Sequence, residues 1–147
     1  MDLTNKIYIY TDGASRGNPG ISASGFAIYD SKGNIIKEEV VYNGIKTNNY
    51  AEYNAIILAL EWCKNNLGTD LEIELTSDSE LVIRQINGVY KVKEITLKPL
   101  YKKVIEVMQL FKYIKFQNTP RSNPKIAYVD KKLNLFLDNI ESNIEKR

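Results

Sequence analysis

Residues 7–20 carry the sequence IYIYTDGASRGNPG, and this stretch decides the fold. It begins with β-branched and aromatic residues, which predict a strand buried on both faces and therefore central in a sheet. The run ends at Asp12, and Gly13 together with the NPG triplet predicts a sharp turn after it. An Asp-Gly pair also starts many ordinary hairpins, so the role of Asp12 depends on what the rest of the chain brings beside it.

Composition indicates one globular domain over residues 1–147, large enough to bury a core of its own. Hydrophobic residues make up 44% and charged residues 26%, as in ordinary soluble proteins. No apolar run has membrane-spanning length, and the first six residues lack the apolar segment of a signal peptide. The single cysteine fits a reducing compartment, so we expect a cytoplasmic protein with no membrane contact. Cys63 lies in an apolar helical stretch and is predicted to fill the core.

Histidine is absent from the sequence. This absence excludes histidine-based nucleophilic triads and His-ligated zinc sites, and one cysteine cannot form a thiolate metal site. Any bound metal must therefore be a hard cation held by carboxylates and other oxygen ligands.

The charges are divided unevenly along the chain. Residues 1–90 contain 7 Lys or Arg and 12 Asp or Glu, whereas residues 91–147 contain 13 and 6. This asymmetry suits a protein that gathers acids around cations in one region and meets a polyanion in another. A basic surface that only faces solvent is equally compatible with the charge pattern.

Periodicity and turn residues predict four further strands and four helices. The strands are predicted at 22–30, 35–42, 71–77 and 113–117, and the helices at 50–66, 79–87, 96–110 and 127–144, with Asn48 or Asn49 as the first helix cap. Short turns make the first three strands an antiparallel meander. The strand–helix–strand order that follows predicts a right-handed parallel crossover.

Glu52 is placed in the first turn of the first predicted helix, on the face that carries Ala55, Ile56 and Ala59. A glutamate in a first turn favours the helix dipole, which is an ordinary structural reason for its position. The dipole does not explain why the carboxylate is on the buried face, where an unpaired charge is costly. We therefore favour a functional role, with a metal ion as its partner.

Four acids are predicted at one edge of the sheet. Asp12 and Asp78 each follow a strand, and Glu52 and Asp130 lie on the inward faces of helices. Asp78 alone could be a helix N-cap. Clustered carboxylates repel one another, and divalent cations remove that repulsion; two ions about 4 Å apart can hold the attacking and leaving oxygens of a phosphodiester in line.

Three motifs then resemble the ribonuclease HI family in order and spacing: YTDGASRGNPG at 10–20, TNNYAE at 47–52 and SDSELVIRQ at 77–85. The resemblance implies an α/β fold of the ribonuclease H type, with a five-stranded mixed sheet, three antiparallel strands and then two parallel ones, flanked by helices. It implies an endoribonuclease that hydrolyses the RNA strand of RNA–DNA hybrids with two Mg²⁺ or Mn²⁺ ions, leaving 5′-phosphate and 3′-hydroxyl ends. By motif match the metal ligands and catalytic residues are Asp12, Glu52, Asp78 and Asp130.

The same resemblance implies a hybrid-binding surface on a monomeric protein. Positions that contact the RNA strand in the family correspond to Gly13, Ser15, Asn18, Asn48, Asn49 and Gln85. A loop that meets the DNA strand corresponds to Tyr90, Lys91 and Lys93, where the lysines would pair with phosphates. A solvated loop, and helix capping by the two asparagines, are the structural alternatives.

The sequence departs from the family pattern at three places. Glu80 stands where many members have glutamine. The usual histidine before the fourth acid is missing, and Arg121 is its nearest substitute and a candidate catalytic residue. Asn123 precedes Asp130 by seven residues instead of the usual four, so Asp138, further along the helix, is a less favoured alternative.

Two other functions remain open at this point. A non-catalytic module that binds hybrids or duplexes could use the same fold, although the sequence retains all four acids. A nuclease of the same superfamily could act on DNA or on double-stranded RNA, whose A-form shape is partly shared with the hybrid.

Overall fold

The computed structural model describes residues 6–145; residues 1–5, part of the segment in which no signal peptide is expected, lie outside the described residues. The elements in chain order are β1 (Lys6–Gly17), β2 (Gly20–Tyr29), β3 (Ile35–Lys46), α1 (Asn48–Asn66), β4 (Glu72–Ser77), α2 (Glu80–Ile86), α3 (Lys98–Met108), β5 (Tyr113–Asn118) and α4 (Pro124–Glu145). Within residues 6–145, no helix is both long and apolar enough to cross a membrane.

The sheet has five strands in the order β3-β2-β1-β4-β5. β1, β2 and β3 pair antiparallel, whereas β4 pairs parallel with both β1 and β5. The predicted mixed sheet is confirmed, and β1 lies at its centre. The reason is the one inferred from its sequence, since a strand made of β-branched and aromatic residues suits burial on both faces.

β1 is longer than predicted. The turn expected after Asp12 does not form there, because β1 pairs with β2 as far as Gly17 opposite Gly20. The chain reverses at Gly17, whose φ of 122° is a conformation that favours glycine. Pairing with β4 nevertheless stops at Thr11 opposite Ser77. Asp12 is therefore within a strand but just beyond the last residue covered by β4.

The two faces of β1 pack against different helices. Ile7 and Ile9 belong to the larger core, which includes the buried residues of α1. Tyr10 and Ala14, on the opposite face, pack against a second cluster that contains Val129, Leu133 and Leu137 of α4. This alternation is the two-residue period of a strand, and it brings α1 and α4 to opposite sides of the same central element.

Several predicted boundaries were wrong. β3 continues to Lys46, so residues 43–46 are strand and not loop. The cap of α1 is Thr47, whose Oγ1 accepts from the Tyr50 amide at 3.2 Å, and neither Asn48 nor Asn49. Since α1 starts at Asn48, Glu52 falls in the second turn, and the dipole explanation for its position loses its force.

The bounds of α3 and α4 differ less from their predicted bounds. α3 starts at Lys98 and ends at Met108, inside its predicted bounds, and α4 starts three residues early, at Pro124, which suits the first turn. Cys63 is buried in the larger core, as predicted, and burial raises the pKa of its thiol to about 12.

Candidate metal centre and nucleic-acid interface

Three of the four predicted acids converge at the edge of the sheet where the pairing of β1 with β4 ends. Asp12, Glu52 and Asp78 each place one carboxylate oxygen within 4.8 Å of the others. Asp12 comes from β1, Glu52 from α1, and Asp78 directly follows β4. Asp12 and Glu52 are 4% and 5% exposed, so the cluster lies mostly below the protein surface.

Gly13 allows α1 to lie directly on β1. A Cβ atom at this position would be 2.3 Å from the carbonyl carbon of Ala51 and 2.4 Å from the amide nitrogen of Glu52. The buried Ser24 hydroxyl on β2 donates to the Ala51 carbonyl oxygen at 2.6 Å and adds a second contact at this point. Glu52 thus reaches Asp12 because the neighbouring strand residue has no side chain.

The clustered charges disfavour ionisation. Burial raises the pKa of Asp12 to about 9, followed in effect by the charge of Asp78 and by the hydrogen bonding and charge of the Asp130 carboxyl. The Gly13 amide donates to Asp12 Oδ1 at 2.9 Å and opposes this shift. Burial, followed by the charges of Asp12 and Asp78, raises the pKa of Glu52 well above its ordinary value. The site therefore needs positive charge to hold all its carboxylates ionised at neutral pH.

Two oxygen atoms of the cluster fit a cation. Glu52 Oε1 and Asp78 Oδ1 are buried and have no hydrogen-bond partner among residues 6–145. A buried oxygen without a partner is costly. Hard divalent cations such as Mg²⁺ prefer carboxylate oxygens, so the donor set matches the cation class expected from the sequence.

Asp130 lies beside this group but outside it. It is on α4, where its carboxyl is close enough to raise the pKa of Asp12, yet it is not among the three residues that fall within 4.8 Å of one another. The alternative acid, Asp138, makes a 3.0 Å ion pair with Arg16. Asp78 is not a helix cap, because Ser79 caps α2 by accepting from the Val82 amide.

Arg121 faces the cluster from the loop before α4. Its Nε is 3.7 Å from Asp78 Oδ2, and its side chain is 83% exposed. Its charge lowers the pKa of Glu52, against the larger effect of burial. An exposed guanidinium at this edge can contact an anionic ligand while remaining close to the acids.

The predicted RNA-strand residues fall into two groups. Asn18 and Asn48 are exposed, and Asn18 Oδ1 accepts from the Asn48 amide at 3.0 Å, which joins the turn after β1 to the start of α1. Asn49 is half-buried beside them. Ser15 Oγ is buried and has no hydrogen-bond partner within the described chain, and Gly13 is beneath α1.

Gln85 is not placed as predicted. It is 5% exposed, and its Oε1 accepts from the Tyr53 hydroxyl at 2.6 Å, so it joins α1 and α2 in the interior. The signal that could have shown this is the helical spacing of α2, since Gln85 is three residues after Val82 and so lies on the same face. Glu80, the position of the family departure, makes an i,i+4 ion pair with Arg84 at 2.9 Å.

The loop after α2 forms one wall of a basic and aromatic cavity. Tyr90, 43% exposed, has the Arg84 guanidinium 5.4 Å from its ring centroid. Tyr90 and Lys91 line a cavity of about 500 Å³, and Lys93 is exposed nearby in sequence. Sequence reasoning missed Lys98 and Tyr101 of α3, which complete the lining; their spacing of three residues, on one helix face, is the signal that indicates a shared surface.

Comparison with known proteins gives a consistent set of relatives. A family profile described as "Reverse transcriptase-like" matches residues 10–129. The ribonuclease HI of Halobacterium salinarum is 36% identical over 126 residues, a match that covers 86% of this chain and 62% of that protein. The chain thus spans less than two thirds of the length of this relative.

Two solved structures align with this chain over nearly the full length of both chains. LC11-RNase H1, crystallised in complex with an RNA/DNA hybrid, is 44% identical with a TM-score of 0.80, covering 87% of this chain and 94% of that one. The N-terminal RNase H domain of Rv2228c from Mycobacterium tuberculosis is 31% identical with a TM-score of 0.87, covering 96% and 99%. These values show agreement in both sequence and fold.

Proposed function

Because this chain belongs to the ribonuclease HI family, within the reverse transcriptase-like proteins, we propose that it hydrolyses the RNA strand of RNA–DNA hybrids. The observation that carries the proposal is the group formed by Asp12, Glu52 and Asp78, each of which places one carboxylate oxygen within 4.8 Å of the others. Glu52 and Asp78 also each have a buried carboxylate oxygen without a hydrogen-bond partner among residues 6–145. The likeness to LC11-RNase H1, which was crystallised with an RNA/DNA hybrid, supports the choice of substrate.

The acids would hold two divalent cations, Mg²⁺ or Mn²⁺, with Asp130 as the fourth ligand. When bound, such ions would activate a water molecule and stabilise negative charge at the phosphodiester, and we expect cleavage to give 5′-phosphate and 3′-hydroxyl ends. The protein's part is to hold the ligands: Gly13 lets Glu52 approach Asp12, and burial keeps bulk water away. Arg121, near Asp78, would contact the RNA phosphate next to the cut bond.

The strands of the hybrid would be distinguished by different parts of the surface. Asn18, Asn48 and Asn49 offer amide groups that can both donate to and accept from a 2′-hydroxyl, which only the RNA strand carries. The Ser15 hydroxyl is buried and is not among these contacts. Tyr90, Lys91 and Lys93 would meet the DNA strand through phosphate pairing and stacking. Gln85 has no part in this proposal.

Cleavage of an end-labelled RNA–DNA hybrid tests the proposal. The same RNA is offered as a hybrid, single-stranded, and in an RNA duplex, with Mg²⁺, with Mn²⁺ or with EDTA. We expect metal-dependent cutting of the hybrid RNA and a loss of at least about 100-fold in Asp78→Asn. Asp70→Asn, an exposed acid outside the cluster, is the matched control and should cut normally.

Two of the alternative functions, the binding module and the nuclease acting on double-stranded RNA, have their own outcomes in this experiment. If the protein binds the hybrid tightly but does not cut it with either metal, the result would favour a non-catalytic binding module over an enzyme. Equal cutting of the RNA duplex would extend the substrate class to double-stranded RNA. The proposal also includes a monomeric, cytoplasmic, single-domain protein, and sedimentation of the purified chain tests the first of these properties.

A further inference from the structure

Arg16 is on the same face of β1 as Asp12, four residues further along the strand, and points toward α4. Its Nη1 is 2.6 Å from Glu141 Oε1, and its Nη2 is 3.0 Å from Asp138 Oδ1. The same Nη2 donates at 3.1 Å to both the backbone oxygen and Oδ1 of Asn134. One guanidinium thus binds three successive turns of α4.

Asn134 links the Arg16 contact to Asp130. Its Nδ2 donates to the backbone oxygen of Asp130 at 3.0 Å, one helical turn earlier. Arg16 therefore connects through one amide side chain to the residue that carries the fourth acid. The path runs from the strand of Asp12 to the helix of Asp130.

A second cation holds α4 on the other side of Asp130. Lys125 Nζ is 4.6 Å from the ring centroid of Tyr29 and 5.4 Å from that of Tyr10, and the two rings meet edge to face at 5.6 Å.

Between the two cations α4 packs on the sheet through Val129, Leu133 and Leu137. Tyr128 and Lys132 also bind Glu38, at 2.6 and 2.9 Å, but Glu38 is on the edge strand β3, whereas Arg16 ties α4 to β1, the strand of Asp12. Apolar burial is non-directional and does not fix the position of a helix along its axis, whereas the fork of a guanidinium does.

We propose that Arg16, acting through Asn134, is a positioning residue that sets the place of Asp130 relative to Asp12. This inference rests on the proposed function and adds to it a residue that does not touch substrate or metal.

Arg16→Met and Asn134→Leu test this inference, with Lys103→Met as the matched control. Lys103 makes an exposed 3.3 Å ion pair with Glu61 between α3 and α1, away from α4. For both test variants we expect kcat to fall roughly 10- to 100-fold with the KM for the hybrid within about twofold. Calorimetry with Mn²⁺ should show weaker binding to both, and the control should match the unchanged protein in every readout.

The decisive measurement places Arg16→Met in an Asp130→Asn background. If Arg16 acts through Asp130, its substitution causes no further loss of kcat or Mn²⁺ affinity there. The same fractional loss in both backgrounds would overturn the inference, as would an Arg16→Met protein that behaves like Lys103→Met. Asn134→Leu leaves the Arg16 ion pairs in place. If Arg16→Met does not fold, the same double-mutant cycle with Asn134→Leu and Asp130→Asn tests the inference.

Failure of the proposed function gives a different result. A native chain that does not cut the hybrid would refute the enzyme proposal, while the Mn²⁺ cycle would still show whether Arg16 acts on metal binding through Asp130.

Discussion

Asp12 is the residue at which burial and function conflict most directly. It is 4% exposed and lies beside two further carboxyls, so its ionised form is disfavoured in the folded chain without cations. The folded-state pKa of about 9 exceeds the ordinary value of 3.8, so the folded state binds more protons than the unfolded state between these values. This group's contribution to stability is present at low pH and is lost as pH rises toward 9.

Asp12→Asn should therefore stabilise the cation-free protein at alkaline pH. In EDTA we expect the free energy of urea unfolding to exceed that of the unchanged chain by about 1–2 kcal/mol at pH 8 and by less at pH 5. Asp70→Asn serves as the exposed control. If the free energy of unfolding changed with pH in the same way for the unchanged chain and for Asp12→Asn, the raised pKa of Asp12 would be contradicted.

Gly13→Ala should damage stability and metal binding together. The added Cβ would overlap the backbone of Ala51 and Glu52, so α1 must move away from β1. We expect a loss of roughly 1–3 kcal/mol in urea unfolding and weaker Mn²⁺ binding by calorimetry. Gly33→Ala is a control with no heavy atom near the added Cβ, although its φ of 86° carries its own strain. A Gly13→Ala protein with unchanged Mn²⁺ affinity would show that Glu52 does not depend on this close approach.

At the scale of elements, the start of α1 decides where Glu52 lies. Thr47 directly follows the last residue of β3 and caps α1, and the Asn18 side chain accepts from the next amide, that of Asn48. Helix ends need such partners because their first amides have none within the helix.

Thr47→Ala should lower stability by about 1 kcal/mol, because the Tyr50 amide loses its acceptor. Thr47→Ser keeps the hydroxyl and should stay within a few tenths of a kcal/mol of the unchanged chain. Thermal and urea unfolding measure both. Equal destabilisation by the two variants would mean that the methyl group, and not the cap, stabilises the helix.

At the scale of the whole molecule, opposite charges occupy different surfaces. The acidic cluster is at the sheet edge, whereas Lys91 and Lys98 line the cavity beside α3 with two tyrosines. The three acids and the two lysines thus belong to different groups of residues. A polyanion can bind the basic surface while cations neutralise the acidic one.

Hybrid binding should weaken with salt, and Lys91→Gln with Lys93→Gln should reduce the slope of log K against log salt by about 1 for each lysine. Fluorescence anisotropy in Ca²⁺, with a labelled hybrid, measures this slope. Lys115→Gln, on β5 in the cavity lined by Glu72 and Glu74, is the control and should leave it unchanged. If the salt slope of the double variant is unchanged, the loop that carries Lys91 and Lys93 does not contact the hybrid phosphates.

The sequence by itself determined the antiparallel meander and the parallel crossover, because residue periodicity and turn residues are local properties of the chain. It also placed four acids at one edge of the sheet, of which Asp12, Glu52 and Asp78 converge. It misplaced the end of β1, the cap of α1 and the side chain of Gln85. The end of β1 depends on its pairing with β2, and the burial of Gln85 depends on Tyr53, which is 32 positions away on α1. The cap of α1 is a local bond from the Tyr50 amide to Thr47, and the sequence analysis chose the wrong residue for it. The connection from Arg16 to Asp130 was decided by tertiary structure alone, since it joins residues more than a hundred positions apart and no local pattern records which helix packs on a strand.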